Sequence, residues 1–368
     1  MKSFTRHCTP ASILLTLTWV LVLCHGVVAS ESEDRYWRVL TPSDSGLSSF
    51  VNCLIVYKGE LIAAGGFATA GEDTLNSIAR WDGTKWKPLG SGTNRPILCL
   101  AVYKGDLIAG GEFTKAGGAA ANGIARWNGS QWKPLGFGVR GATKDEWVHI
   151  GAMTEFDGKL IVGGRFSYAG GARIKSMAAW DGRKWSEVPY DLFGDVRALT
   201  TFRGQLIAAG DVSEPSAGSV VMRFDGVDKW SVIGSGDPED EVDAALVYHD
   251  NLVVGGKFSK IGGIEAAGIA SWDGADWQPL GAGLGQNIWC LTTFNEELIA
   301  GGAGGAIGSW DGTIWRNLGT GTNGDINSCL EFDGKLIVSG YFTNAGPVRA
   351  SNVAVWTKPP ALADESEK

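Results

Sequence analysis

The apolar residues of this chain recur as one short pattern, not as helical stripes. Leu-Ile/Val-x-Ala/Gly/Ser-Gly occurs seven times, at Leu61 to Gly65, Leu107 to Gly111, Leu160 to Gly164, Leu206 to Gly210, Leu252 to Gly256, Leu298 to Gly302 and Leu336 to Gly340. Successive starts lie 46, 53, 46, 46, 46 and 38 residues apart. Short apolar runs bounded by glycine read as buried strands. A period of this size belongs to propeller blades, four-stranded sheets that bury their faces only against their neighbours.

Each unit reads as four strands. In the first, strand A is the run Cys53-Leu54-Ile55-Val56-Tyr57, Lys58-Gly59 turns the chain, and Leu61 to Ala64 forms strand B. Ile78 to Trp81 forms strand C, and Asp82-Gly83 turns into strand D around Trp86. Asp-Gly between apolar runs is a strong hairpin signal. Asp82, Asp181, Asp225, Asp273 and Asp311, with Asn128 in register, are therefore read as turn formers and not as metal ligands.

Tryptophans fix the blade number. Strand C ends in an aromatic seven times, at Trp81, Trp127, Trp180, Phe224, Trp272, Trp310 and Trp356, whereas strand D carries its Trp only six times after the first strand A. The missing copy, Trp37-Arg38-Val39-Leu40, precedes the first strand A. The expected fold is an all-β, seven-bladed propeller over residues 36–357, its last blade completed by the N-terminal strand, which removes an open sheet edge.

Composition agrees: Gly 54 and Trp 16 against Met 4 suits tight hairpins with aromatic packing. Lys2, Arg6 and His7, an apolar run from Ala11 to Leu23, and Val27-Val28-Ala29 read as a signal peptide over residues 1–29. The run is shorter than the roughly 20 residues of a spanning helix, so a secreted product without membrane insertion is expected after cleavage. That cleavage removes two basic residues and no acid, leaving 30 basic against 40 acidic side chains, a formal charge of −10. Such a balance disfavours nucleic acid as a partner. Residues 358–368 read as a disordered tail. Asn128-Gly129-Ser130 is a glycosylation sequon in an exposed turn.

Catalytic and cofactor signatures are not found. After the leader only His149 and His249 remain, too few for a zinc site without other partners. No nucleophile elbow, P-loop or dinucleotide fingerprint occurs in strand-to-helix context. No metal, no cofactor and no enzyme activity are expected. Asp237 to Asp243 is an acidic loop read as solvated. Cys53, Cys99, Cys290 and Cys329 each precede the Leu of strand A, a small-residue position that holds Ala152, Ala198 and Ala244 in blades three to five. Disulfides between neighbouring blades are open to them, but buried free thiols are favoured.

The Gly-Gly after strand B, the aromatic before a turn and the Trp four to six residues later resemble the kelch repeat of galactose-oxidase-like propellers. The fuller unit Gly163 to Gly171 followed by Trp180-Asp181-Gly182 is similar to repeats in secreted bacterial proteins and fungal cell-polarity landmark proteins. The resemblance implies an extracellular interaction role. Galactose oxidases use two histidines and two tyrosines for copper, and the histidine supply here departs from that pattern: His249 falls in the A-to-B turn of blade five, away from the expected site.

The A-to-B and C-to-D turns are short and repetitive, while the B-to-C and D-to-A loops vary. Blade three adds seven residues near Arg140 to Glu146, blade four replaces the Phe-x-x-Ala-Gly-Gly segment, and blade six loses it. A unique site therefore belongs on the variable face. Trp147, His149, Arg197, Asp243 and Trp289 are the binding candidates around the central funnel, for an extracellular protein or glycan. Two alternatives stand beside this: the spare tryptophans plug the funnel, or funnel carboxylates make a carbohydrate hydrolase or lyase.

Overall fold

In the computed structural model, residues 31–40, 46–143, 146, 148–189, 193–213, 220–237 and 240–357 are described. The expected signal peptide and C-terminal tail lie outside them.

Seven antiparallel four-stranded sheets form among these residues. Strands A of successive blades are Val51–Tyr57, Ile97–Tyr103, His149–Phe156, Phe193–Phe202, Glu241–Tyr248, Ile288–Phe294 and Asp325–Phe332. Each packs against the next, and the seventh packs against the first, so the ring closes. Blade seven takes its outer strand from Trp37–Val39, paired with Val353–Trp356 in the register Trp37 to Trp356. The expected architecture is the one observed.

Aromatic pairs hold every blade at its C-to-D corner. Ring centroids lie 5.4 Å apart for Trp81 and Trp86, 5.1 Å for Phe224 and Trp230, and 5.0 Å for Trp37 and Trp356. The strand-D indole then reaches the preceding blade: Trp132 Nε1 donates to the Leu89 carbonyl at 2.8 Å, Trp185 to Leu135 at 2.9 Å and Trp37 to Leu318 at 3.2 Å. Buried indole N–H groups need acceptors, and here the acceptor fixes the spacing between blades. On the opposite end Tyr57, Tyr103 and Tyr248 hydroxyls donate to A-to-B turn carbonyls of the next blade.

Turn aspartates behave as read. Asp82 Oδ1 accepts from the Thr84 and Lys85 amides at 2.9 and 2.8 Å. Asn128 makes the same bonds to Ser130 and Gln131. These are Asx turns, and they hold each aspartate below its usual range, Asp82 to about 2, chiefly through the Lys85 amide.

One register reading is corrected. Cys53, Cys99, Ala152, Ala198, Ala244 and Cys290 pair with strand B one residue past a β-bulge. In blade seven Ser328 takes that place opposite Ser339, and Cys329 stands one residue later, opposite Val338. Because strand neighbours alternate in direction, Cys329 points across to blade six, where the other thiols of the series point elsewhere. The four described cysteines are free.

Candidate functional site

The bulge that shifts this register also builds the site. In every blade strand A places two residues against one of strand B near its start, between Val51 and Cys53 in blade one and at the matching point in the other six. A bulge re-aims the extra side chain. The extra residues are Asn52, Leu98, Gly151, Arg197, Asp243, Trp289 and Asn327. Asn52 and Asn327 use their amides to reach the next blade, donating to Ile97 and Val51 carbonyls at 2.8 and 3.1 Å. A Cβ on Gly151 would lie 2.5 Å from the Val196 carbonyl oxygen and 3.0 Å from His149 Cε1, so glycine at the blade-three position lets blade four and the His149 ring approach this closely.

A cavity of about 410 Å³ opens among the starts of these strands, lined by His149, Gly151, Asp195, Arg197, Glu241, Asp243, Trp289 and Asn327. Four sequence candidates, His149, Arg197, Asp243 and Trp289, thus meet in one place. Trp147, the fifth, lies outside the described residues. Asp195, Glu241 and Asn327 were not singled out from sequence. Asp195 and Glu241 stand eleven residues before the strand-B leucine of their blades, as His149 does, and Asn327 stands nine before, as Arg197, Asp243 and Trp289 do. Aligning the blades on that leucine is the signal that finds them.

Arg197 organises the charges. Its Nη1 lies 2.7 Å from Glu241 Oε2 and 2.8 Å from Asp243 Oδ1, and its Nε lies 3.8 Å from Asp195 Oδ2. Asp195 Oδ1 is 2.8 Å from His149 Nδ1. An ionised carboxylate only accepts, so Nδ1 carries the proton in this pair. Burial raises the Asp243 pKa, with repulsion from Glu241 and Asp195 adding to it and Arg197 opposing. Burial also pulls Arg197 down, but its bonds to Glu241 and Asp243 outweigh this and raise it. Three carboxylates share one guanidinium and one imidazole.

The acidic loop is thereby corrected at its end. Asp243 is only 14% exposed and faces the funnel, because the bulge turns it inward. Asp240 instead folds back to accept the Asp237 amide at 2.8 Å.

The blade-three insertion forms a second feature on the same face. Val139–Arg140 pairs with Tyr168–Ala169, Arg140 stacks over the Tyr168 ring at 3.9 Å, and Glu146 accepts from Ser167 Oγ at 2.9 Å. A cavity of about 660 Å³ lies beside it. Elsewhere the Phe-x-x-Ala-Gly-Gly segment folds as a small hairpin, as at Lys115–Ala116 with Ala119–Ala120, and blade six has a 3-10 turn, Ala303–Gly305, in its place. Among the described residues no helix is long and apolar enough to cross a membrane, and no group of three or more His, Cys, Asp or Glu is arranged to hold a metal.

Comparison with known proteins agrees on the fold. A family model described as a domain of unknown function (DUF5122) beta-propeller matches residues 157–175 and 333–354. Both stretches run from an A-to-B turn through strand B into the following hairpin region. These matches and the seven blades support a propeller repeat family. No curated protein sequence matches the chain.

Solved structures resemble it at low identity. The extracellular domain of BT4673 from B. thetaiotaomicron, assigned as a hybrid two component system, aligns with TM-score 0.59 and 13% identity over 88% of this chain and 40% of that one. U3-55K aligns with TM-score 0.56 and 16% identity over 90% and 100%. YCF48 bound to D1 peptide aligns with TM-score 0.55 and 14% identity over 88% and 97%. At such identities the likeness concerns the fold alone.

Proposed function

We propose that this chain is a secreted, non-catalytic binding or scaffold module that engages an extracellular protein or glycan at the funnel mouth. The observation that carries the reading is the convergence of His149, Arg197, Asp243 and Trp289 on one cavity of about 410 Å³ in an otherwise repetitive ring. Ligand sites of this size are concave and carry a few converging polar groups, and Trp289 adds an aromatic face. The carboxylates are committed to Arg197 and His149, as suits a preorganised recognition surface. Their excess over cations opposes polyanions, nucleic acid included.

The leader-like N-terminus and the kelch-like repeat resemblance support secretion and an interaction role. A structural neighbour that is an extracellular domain, and another bound to a peptide, are compatible with it at the level of fold.

A carbohydrate hydrolase or lyase is the second reading, favoured by one observation: burial raises the Asp243 pKa beside Glu241 and Asp195, and shifted carboxylates mark catalytic sites. Probing glycan and extracellular-protein arrays with the full chain, then analysing bound glycans by mass spectrometry, separates the two. Binding with intact glycans is expected. Cleaved or unsaturated products would establish the enzyme.

A further inference from the structure

The four described thiols are not equivalent. Cys53, Cys99 and Cys290 follow the bulge of their strands, whereas Cys329 stands one residue later and faces back toward blade six. These two positions meet across blade interfaces: between blades seven and one, Ser328 Oγ accepts from the Leu54 amide at 3.1 Å. Between blades six and seven both positions hold cysteine, and Cys329 Sγ lies 3.3 Å from Cys290 Sγ.

We propose that Cys290 and Cys329 are an oxidisable pair, a covalent modification site that forms a disulfide between the inner strands of blades six and seven. A disulfide needs sulfurs about 2.05 Å apart, so the thiols must approach by roughly 1 Å, and the strands that carry them are already packed together. The other candidate pair lacks this geometry. Cys53 Sγ is directed to the Ala64 carbonyl of its own blade at 3.9 Å and Cys99 Sγ to the Ile150 carbonyl of blade three at 3.2 Å; Cys290 Sγ has a like contact, to the Gly301 carbonyl at 3.5 Å, and has the Cys329 thiol beside it as well.

The oxidant is a disulfide such as oxidised glutathione. One cysteine thiolate attacks it, forms a mixed disulfide and releases one glutathione thiolate. The second cysteine thiolate attacks the protein sulfur of that mixed disulfide and expels the second. Two protons and two electrons leave the protein, and one oxidised glutathione becomes two reduced molecules.

Exchange runs through the thiolate. Cys290 and Cys329 are 7% and 6% exposed, and the contact with Cys290 together with burial raises the Cys329 pKa. The bond therefore forms during folding, when the interface is open, and only slowly in the folded ring. Once formed it holds the inner edge of the last blade covalently, while Trp37 holds its outer edge.

Peptide mapping without reduction tests this on the full chain, refolded in a reduced and oxidised glutathione mixture and alkylated. The expected product joins Cys290 to Cys329, lighter by two hydrogens, with Cys53 and Cys99 alkylated. Reductant should lower the melting temperature of this oxidised protein by several degrees, on the order of what loop-closing disulfides contribute, and leave Cys329→Ser unchanged. Should Cys329→Ser fold poorly, Cys290→Ala supplies the same comparison, since blades three to five carry Ala there. Full alkylation of Cys290 and Cys329, a Cys53 to Cys99 link, or an equal reductant effect on wild type and variant would overturn the proposal.

Discussion

Trp37 faces Trp356 across blade seven with ring centroids 5.0 Å apart, although 319 residues separate them in the chain. Trp37 is fully buried and also donates to Leu318 of blade six, so one side chain joins the ring's ends and anchors the joint. Trp37→Ala should cost about 3–5 kcal/mol, as for other buried Trp truncations, and deletion of residues 30–40 should lower the melting temperature by many degrees. Unchanged thermal unfolding of either variant would refute closure by this strand.

Gly346 gives a second reading of that joint. Its φ is +51°, and a Cβ there would lie 2.8 Å from Trp37 Cδ1. Gly346→Ala combines left-handed backbone strain with displacement of the closing indole. We expect a loss of about 1–3 kcal/mol, measured by denaturant unfolding. Gly59→Ala, with open space around its Cβ, should cost less, since it bears only the strain of φ +80°.

The turn aspartates set part of the acid limb of stability. Asp82 is held near 2, and Asp181, Asp225, Asp273 and Asp311 are also lowered, each first by a backbone amide. A depressed carboxylate contributes stability above its unfolded pKa of about 3.9, and that contribution is lost as pH falls through the folded value. Asn128 does the same structural work without titrating. Replacing the five aspartates with Asn should therefore move the acid unfolding midpoint to lower pH. A midpoint shifted upward would contradict this role.

Asp243 has the opposite sign. Its raised pKa means that the ionised form is disfavoured by folding, so its own contribution to stability is greatest below the unfolded pKa and is lost as pH rises through the folded one. Asp243→Asn keeps an oxygen acceptor for Arg197 and removes the buried charge. Its melting temperature at neutral pH should equal or exceed that of the wild type, as when a site is shaped for binding at the expense of stability. A lower one would show that the ion pair with Arg197 is a net stabiliser.

How far the molecule is legible in its sequence follows from which contacts are local. Blade number, strand identity and ring closure rest on Leu-x-x-x-Gly runs, Asp-Gly turns and the displaced Trp37, all of which repeat. The bulges leave no residue-type signature, since Asn52, Leu98, Gly151 and Trp289 share nothing but position. Asp195, Glu241 and Asn327 emerge only when the blades are aligned on the strand-B leucine, and alignment on the strand-A leucine, which Leu330 shares with Leu54, Leu100 and Leu291, is what puts Cys329 one residue out of register. The pairing of Arg197 with Glu241 and Asp243 depends on two strands some 45 residues apart lying side by side, which packing alone decides. Trp147, like the expected signal peptide, lies outside the described residues.

The central claim is that recognition occurs at the funnel. Its most direct test is the Kd of the strongest array ligand for wild type, Trp289→Ala, Arg197→Ala and Lys58→Ala, with folding of each checked by thermal unfolding. Lys58 sits in an A-to-B turn on the opposite face, its ammonium 5.1 Å from the Tyr57 ring centroid. The account predicts at least about tenfold weaker binding for the two funnel variants, as expected of Trp and Arg contacts at a binding centre, with Lys58→Ala unchanged. Wild-type affinity in folded Trp289→Ala and Arg197→Ala, or a loss confined to Lys58→Ala, would contradict it.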